Sequence, residues 1–234
     1  LKINETFLDR YLGVNILKLN DYLNLTKIKI RYAFNKPKVQ KLNLEVGQKT
    51  ILLIEQQRQL KKENGGILPP EYFKMHRMDL QHEKKKFKAK IRIKGVRPIH
   101  WQDKRTTSYK IDLIGDDRLW GMEEFSVQKP ITKNYAYEFL FHKLLKKTKN
   151  LHLKYFPINL YFNDDNRGLY AVEESFSKEL LERQNKRNGP IFSLNEDIGE
   201  HYPNVNYELY SSNYWMTEYP ELSKSAFSIL NKVR

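Results

Sequence analysis

In Lys84-Lys-Lys-Phe-Lys-Ala-Lys-Ile-Arg-Ile-Lys94 every even position from Lys86 onward is basic, and Phe87, Ala89, Ile91 and Ile93 alternate with them. Side chains of an extended chain point alternately to opposite faces, so the segment reads as a β-strand with one apolar and one cationic face. The apolar face needs a sheet core. The cationic face either stays in solvent on its aliphatic stems or, at the Gly95 end, presents Arg92 or Lys94 to a phosphate.

Upstream, a hairpin is expected with arms Tyr72 to Leu80 and Phe87 to Gly95, joined by the polar turn Gln81 to Lys86. Before it come a strand from Val39 to Val46 and a helix from Thr50 to Lys62, stopped by Asn64-Gly65-Gly66. Residues 1–37 form a separate flank, with apolar Leu12, Ile16, Leu17 and Leu19, a short strand Lys27 to Arg31, and Pro37 at its close. Downstream, strands are expected at Ser108 to Leu113 and Glu124 to Gln128. An amphipathic helix Asn134 to Lys147 follows, with Phe139, Leu140, Leu144 and Leu145 facing the core. A second hairpin, Pro157 to Phe162 and Leu169 to Glu173, surrounds an Asn163 to Gly168 loop whose glycine permits positive φ. A helix from Ser177 to Arg187 then carries the i,i+4 pairs Glu179 to Arg183 and Glu182 to Lys186. The order predicts an α+β fold, a mostly antiparallel twisted sheet with packed helices.

The 234 residues include 40% hydrophobic and 13% aromatic side chains, enough for a substantial core, and no cysteine, which excludes disulfides and thiolate chemistry. No apolar run approaches the roughly 20 residues of a membrane-spanning helix. A net charge of +14 predicts attraction to anions. Nucleic acid is the weakest candidate, since no zinc finger, RNP-type motif or helix-turn-helix signature accompanies the charge. The six histidines show no H-x-x-x-H pair, so no metal site is expected. A start at Leu1, no signal-peptide pattern and an end at Arg234 inside an expected helix suggest a piece of a longer protein.

Six further signatures follow one another in order: Lys90-Ile-Arg-Ile-Lys-Gly95, Ser108-Tyr-Lys-Ile-Asp-Leu113, Leu119-Trp-Gly-Met122, Lys133-Asn-Tyr135, Gly168-Leu-Tyr170 with Glu173-Glu174, and Gly189-Pro-Ile-Phe192. Together, over about half the chain, they resemble the CotH-like family of atypical protein kinases, named for a bacterial spore-coat protein. The resemblance implies that residues 38–234 are the amino-terminal portion of such a domain, laid out like a kinase amino-terminal lobe followed by the start of a helical lobe. The usual G-x-G-x-x-G, H-R-D and D-F-G kinase motifs are lacking.

From the resemblance, ATP and Mg²⁺ are expected as cofactors and a protein hydroxyl as acceptor, an acidic protein suiting the positive charge; a cell-envelope, spore-coat or extracytoplasmic location is suggested. Nucleotide phosphates need a rigidly held cation, oriented in kinases by a helix glutamate. Glu138, the one acid of the Asn134 to Lys147 helix, takes that place. Lys94, Lys104, Arg105 and Lys110 are the candidate cations, Lys110 favoured because it sits within a strand. Gly95-Val-Arg97 stands where many members carry Gly-Asn-Ser-type residues, and Lys104-Arg-Thr-Thr-Ser108 displaces the family's paired lysines. Lys133-Asn134 matches an Arg-Asn, keeping the charge and losing the bidentate fork. Glu173 lies near the expected adenine hinge. The catalytic and metal-binding Asp residues are expected beyond Arg234, which would leave this portion inactive; Asp164-Asp165 and Asn195-Glu-Asp197 read as solvated loops. The alternative is a non-catalytic envelope module holding an acidic partner.

Overall fold

The computed structural model describes residues 39–194, 207–210 and 212–232, together with Thr26. The expected short strand Lys27 to Arg31 and the segment Asn195 to Asp197 lie outside them. From Gln40 onward the described residues belong to one compact unit.

Seven strands close into a barrel: β1 Gln40–Glu45, β2 His76–His82, β3 Lys85–Ile93, β4 Tyr109–Leu113, β5 Glu124–Gln128, β6 Tyr155–Phe162 and β7 Asp165–Glu174. Their order around the barrel is β1-β2-β3-β4-β5-β7-β6. Six pairings are antiparallel, and closure comes from a parallel one, β1 on β6, with Gln40 opposite Ile158 and Leu44 opposite Phe162. This corrects the expected fold. The molecule is a closed mixed barrel and not the twisted sheet with packed helices of a kinase lobe, because a parallel contact between strands so far apart in sequence leaves no local pattern.

The interior is filled by alternate residues of every strand. Leu42, Leu80, Ile91, Ile111, Phe125 and Ile158 are all fully buried there. Polar and charged partners on the same strands therefore point outward, as the alternation in β3 requires. The hairpin turns are tighter than expected. β6 and β7 are joined by Asn163 and Asp164 alone, both at positive φ (49° and 63°). Gly168, at φ 78°, lies within β7 beside the irregularity at Leu160/Tyr161. Asn163 locks this turn to β1, accepting from the Val46 N–H and donating to the Val46 carbonyl.

Outside the barrel, α1 (Gln48–Glu63) packs through a polar inner face of Thr50, Gln57, Arg58 and Lys61 around Ile54. Gln57 donates to the carbonyls of Tyr72 and Lys74 and accepts from the Ile93 N–H, and Arg58 donates to the Trp101 carbonyl. The helix α2 (Tyr137–Lys147) departs from expectation: His142 is its buried residue, whereas Leu140 and Leu144 are 57% and 58% exposed. A short α3 (Lys178–Arg183) is capped by Ser177, whose hydroxyl accepts from the Leu180 N–H. Its arginine pairs with Glu174 and not with Glu179, which reaches Arg118 instead. The ribbon β8 (Phe192–Leu194) with β9 (Tyr207–Leu209) and the helices α4 (Ser212–Glu218) and α5 (Pro220–Lys232) complete the described chain.

Candidate functional site

Pairing register builds one row of side chains on the outer surface of the barrel: Arg92 opposite Lys110, Lys110 opposite Ser126, Ser126 opposite Glu173, and Glu173 opposite Tyr155. Just past β3, the Lys94 N–H donates to the Ser108 carbonyl at 2.9 Å and its ammonium reaches along the row to Glu173. Glu173 Oε2 also accepts from Gln128 Nε2 at 2.8 Å. Lys133, on the single 3-10 turn Pro130–Lys133, stands 3.7 Å from Glu173 and 4.0 Å from Glu138, and Glu138 stands 3.3 Å from His142 Nε2. Two cations and two carboxylates thus alternate along one chain of contacts.

The turn carrying Lys94 is held from below. Gly95 has φ +82°, and a Cβ there would lie 2.4 Å from the His100 ring, so only glycine fits the turn. His100 Nδ1 lies 3.0 Å from Ser108 Oγ, while the Ser108 N–H donates to the His100 carbonyl at 2.7 Å. The buried Lys61 donates to the carbonyls of Gly95 (2.9 Å) and Gly66 (2.8 Å). These contacts fix the backbone from which the Lys94 side chain departs, so its reach to Glu173 is set by the scaffold.

Charge and burial oppose each other here. Burial disfavours ionised Glu173, but Lys94 and Lys133 outweigh it and hold the carboxyl below its usual range. Burial, reinforced by Lys94 and Arg97, lowers His100 to about 4, so its ring is neutral at pH 7. His142 is also lowered by burial, against the pull of Glu138 and Glu173. Its Nδ1 accepts from the Leu153 N–H at 3.2 Å, which places the neutral ring's proton on Nε2, facing Glu138 but out of line for a hydrogen bond. Burial, with Glu173 and Glu138 adding to it, pushes the Tyr155 hydroxyl up to about 12. Three buried atoms around the network, Gln128 Oε1, His142 Nε2 and Tyr155 OH, have no hydrogen-bond partner.

Of the residues singled out from sequence, the structure joins Lys94 and Glu173 directly. Glu138 touches none of the four candidate cations, because the α2 first turn faces Lys133 and His142; it meets Lys94 only through Lys133 and Glu173. Lys110 shares the outer row but gives its ammonium to Glu124 at 2.9 Å. Lys104 pairs with Glu55 at 2.8 Å and Arg105 with Asp165 at 3.7 Å, both on exposed loops away from the row. On β3, Lys86, Lys88 and Lys90 are matched with Glu45, Asp79 and Asp112. Arg92 has no carboxylate within ion-pair distance among the described residues; it donates to the Ile93 carbonyl and lies over the Phe73 ring. Gln128, His100, His142 and Tyr155 were not foreseen. Only His142, four residues after Glu138 on a helix, carried a readable signal.

Asp164 sits in the β6–β7 turn, bonded to Asn43. No three His, Asp or Glu side chains converge in a metal-holding arrangement among the described residues, and no helix there is long and apolar enough to cross a membrane. The chain matches no protein-family model and no curated protein.

Proposed function

We propose that this chain supplies the nucleotide-binding part of a CotH-like protein kinase, in which phosphate passes from ATP to a protein hydroxyl. The observation that carries the reading is the Lys94–Glu173 pair beside Arg92, a half-buried guanidinium without a carboxylate at ion-pair distance among the described residues. Arg92 is partly desolvated, and the nearby Glu124 is shared with Lys110, so an added anion would favour its charged form. The donors suit a phosphate: Arg92 offers a planar fork, while Lys94 and Lys133 offer compact charges.

In this reading ATP supplies the transferable phosphoryl group. Lys94 holds a phosphate oxygen, and Glu173 keeps its ammonium from swinging into solvent. Glu173 stays ionised because it has two cationic neighbours, and Lys133 links it to Glu138, so the outer row and the start of α2 are held as one unit. Rigid placement of cations is what a loose phosphoryl-transfer transition state requires. Mg²⁺ and the attacking hydroxyl are assigned to carboxylates downstream of these residues, as the resemblance implies.

Calorimetric titration of the 234-residue chain with Mg-ATP tests the first step. Binding is expected to weaken at least about tenfold in Lys94→Ala and in Arg92→Ala, with unchanged circular dichroism. Binding that is indifferent to both substitutions, or absent from the parent chain, would favour the non-catalytic module. Phosphate transfer from labelled ATP by a longer chain that includes the downstream carboxylates tests the second step.

A further inference from the structure

The helix beside this site keeps Phe139 and Leu145 half-buried but turns the rest of its apolar residues away from the barrel. Tyr137, Leu140, Phe141 and Leu144 follow the i, i+3, i+4, i+7 spacing of a single face, and they are 71%, 57%, 52% and 58% exposed. His142, on the opposite side, is the residue that packs inward. Tyr135, just before the helix, is 64% exposed as well. A contiguous apolar stripe on a convex, solvent-facing helix marks a contact surface.

Charge says what the contact is with. Lys143 and Lys147 flank the stripe along one side and Lys149 follows at its carboxy-terminal end, while Lys146 lies on the His142 side of the helix. The single acid of the helix, Glu138, is turned toward Lys133 and His142. The outward surface is therefore apolar in the middle and purely cationic at its edge. We propose that α2 seats the domain on an anionic lipid bilayer, its Leu and Phe side chains entering the acyl boundary, its lysines at the phosphates and its tyrosine hydroxyls at headgroup level. The stripe is convex, which suits a deformable planar surface; the pocket between α2 and β6 is lined by Phe139, His142 and Lys146, on the other side of the helix. The helix lies in the interface and does not cross it.

Co-sedimentation of the 234-residue chain with vesicles of phosphatidylglycerol and phosphatidylcholine, against pure phosphatidylcholine, reads this directly. The expected result is binding to the anionic vesicles alone, weakened by salt. Leu140→Ser/Phe141→Ser, and separately Lys143→Glu/Lys147→Glu, are each expected to lower the affinity at least about tenfold while leaving the thermal midpoint unchanged. Because the chain has no cysteine, Leu144→Cys accepts one polarity-sensitive fluorophore, whose emission should shift to the blue with anionic vesicles. The same label at Glu83→Cys, on the β2–β3 turn, should stay unshifted. Equal vesicle binding by the serine variant overturns the proposal. So does a chain that ignores vesicles and dimerises in sedimentation velocity through Leu140, or one that ignores vesicles and binds an acidic protein through the stripe.

Discussion

The ammonium of Lys94 and the carboxylate of Glu173 meet across 79 positions of sequence, one leaving the end of β3 and the other near the end of β7. Two strands, β4 and β5, lie between them in the barrel. The pair therefore spans the outer row, and it exists only when the β3–β4, β4–β5 and β5–β7 registers are all correct.

Removing the charge of Glu173 tests what the network contributes. Glu173→Gln leaves Lys94 and Lys133 facing a neutral amide. Because both cations keep partial access to solvent (28% and 31% of the side chain), the expected cost is about 2 kcal/mol, below that of breaking a fully buried pair. Urea unfolding reads it, and a loss under about 0.5 kcal/mol would mean that solvent already compensates the lysines.

Gly95→Ala should destabilise by about 2 to 3 kcal/mol, since it combines a strained positive φ with a Cβ driven into the His100 ring. Gly115→Ala isolates the strain from the clash, because the φ is the same (+82°) and nothing lies within 4 Å. Its cost should be about half as large, with both variants read by thermal unfolding. Equal losses at the two positions would show that the contact with His100 is unimportant.

Stability should fall as pH is lowered from about 7 toward 4. His100 binds its proton near 6.5 when unfolded but only at about 4 when folded, so in that window the unfolded chain takes up more protons and gains. His142, also lowered, acts in the same direction. Below about 4.5 Glu173 adds to the loss, since its folded pKa is depressed and the stability it contributes disappears as pH falls through that value. Urea midpoints measured across this range should show a shallower slope in His100→Asn, and an unchanged slope would place the titration elsewhere.

Leu160→Ala, in the β6 strand that closes the barrel, should cost 2–5 kcal/mol by the usual cavity rule, as Leu160 is fully buried in the core. Asp79→Asn, which breaks only the exposed pair with Lys88, should cost under about 0.5 kcal/mol. Parallel urea titrations compare them; similar losses would mean that the outer cationic face is more than a solvated surface.

Sequence pattern alone reported what is periodic and local. The two faces of β3 were readable from Phe87 to Lys94 because each residue's direction depends only on its neighbours. Closure was not readable, since nothing in Gln40 to Leu44 indicates that its partner is Ile158 to Phe162. In the β6–β7 hairpin the positive φ expected at Gly168 is present (78°), but Gly168 lies within β7, and the turn itself is made by Asn163 and Asp164, whose residue types also tolerate positive φ. For α2 the period was visible and the direction only in part: of the expected core face Phe139 and Leu145 are half-buried, whereas Leu140 and Leu144 point out and His142 is the buried residue. Lys94 could be picked from alternation and Glu173 from family resemblance, but Gln128 and Tyr155 join them only through cross-strand register.

The clamp between Val46 and Asn163, 117 positions apart, also sets a clock. At about 5–20 residues per second, a ribosome needs roughly 6 to 23 s after completing β1 to deliver the strand against which β1 closes. For that interval the nascent barrel is an open sheet with an unsatisfied edge at Gln40 to Leu44, a template for any other extended chain nearby. Finishing β6 covers that edge and β7 then closes the gap between β5 and β6, so a slow codon shortly before Asn163 would prolong the period in which the half-made barrel is most prone to aggregate.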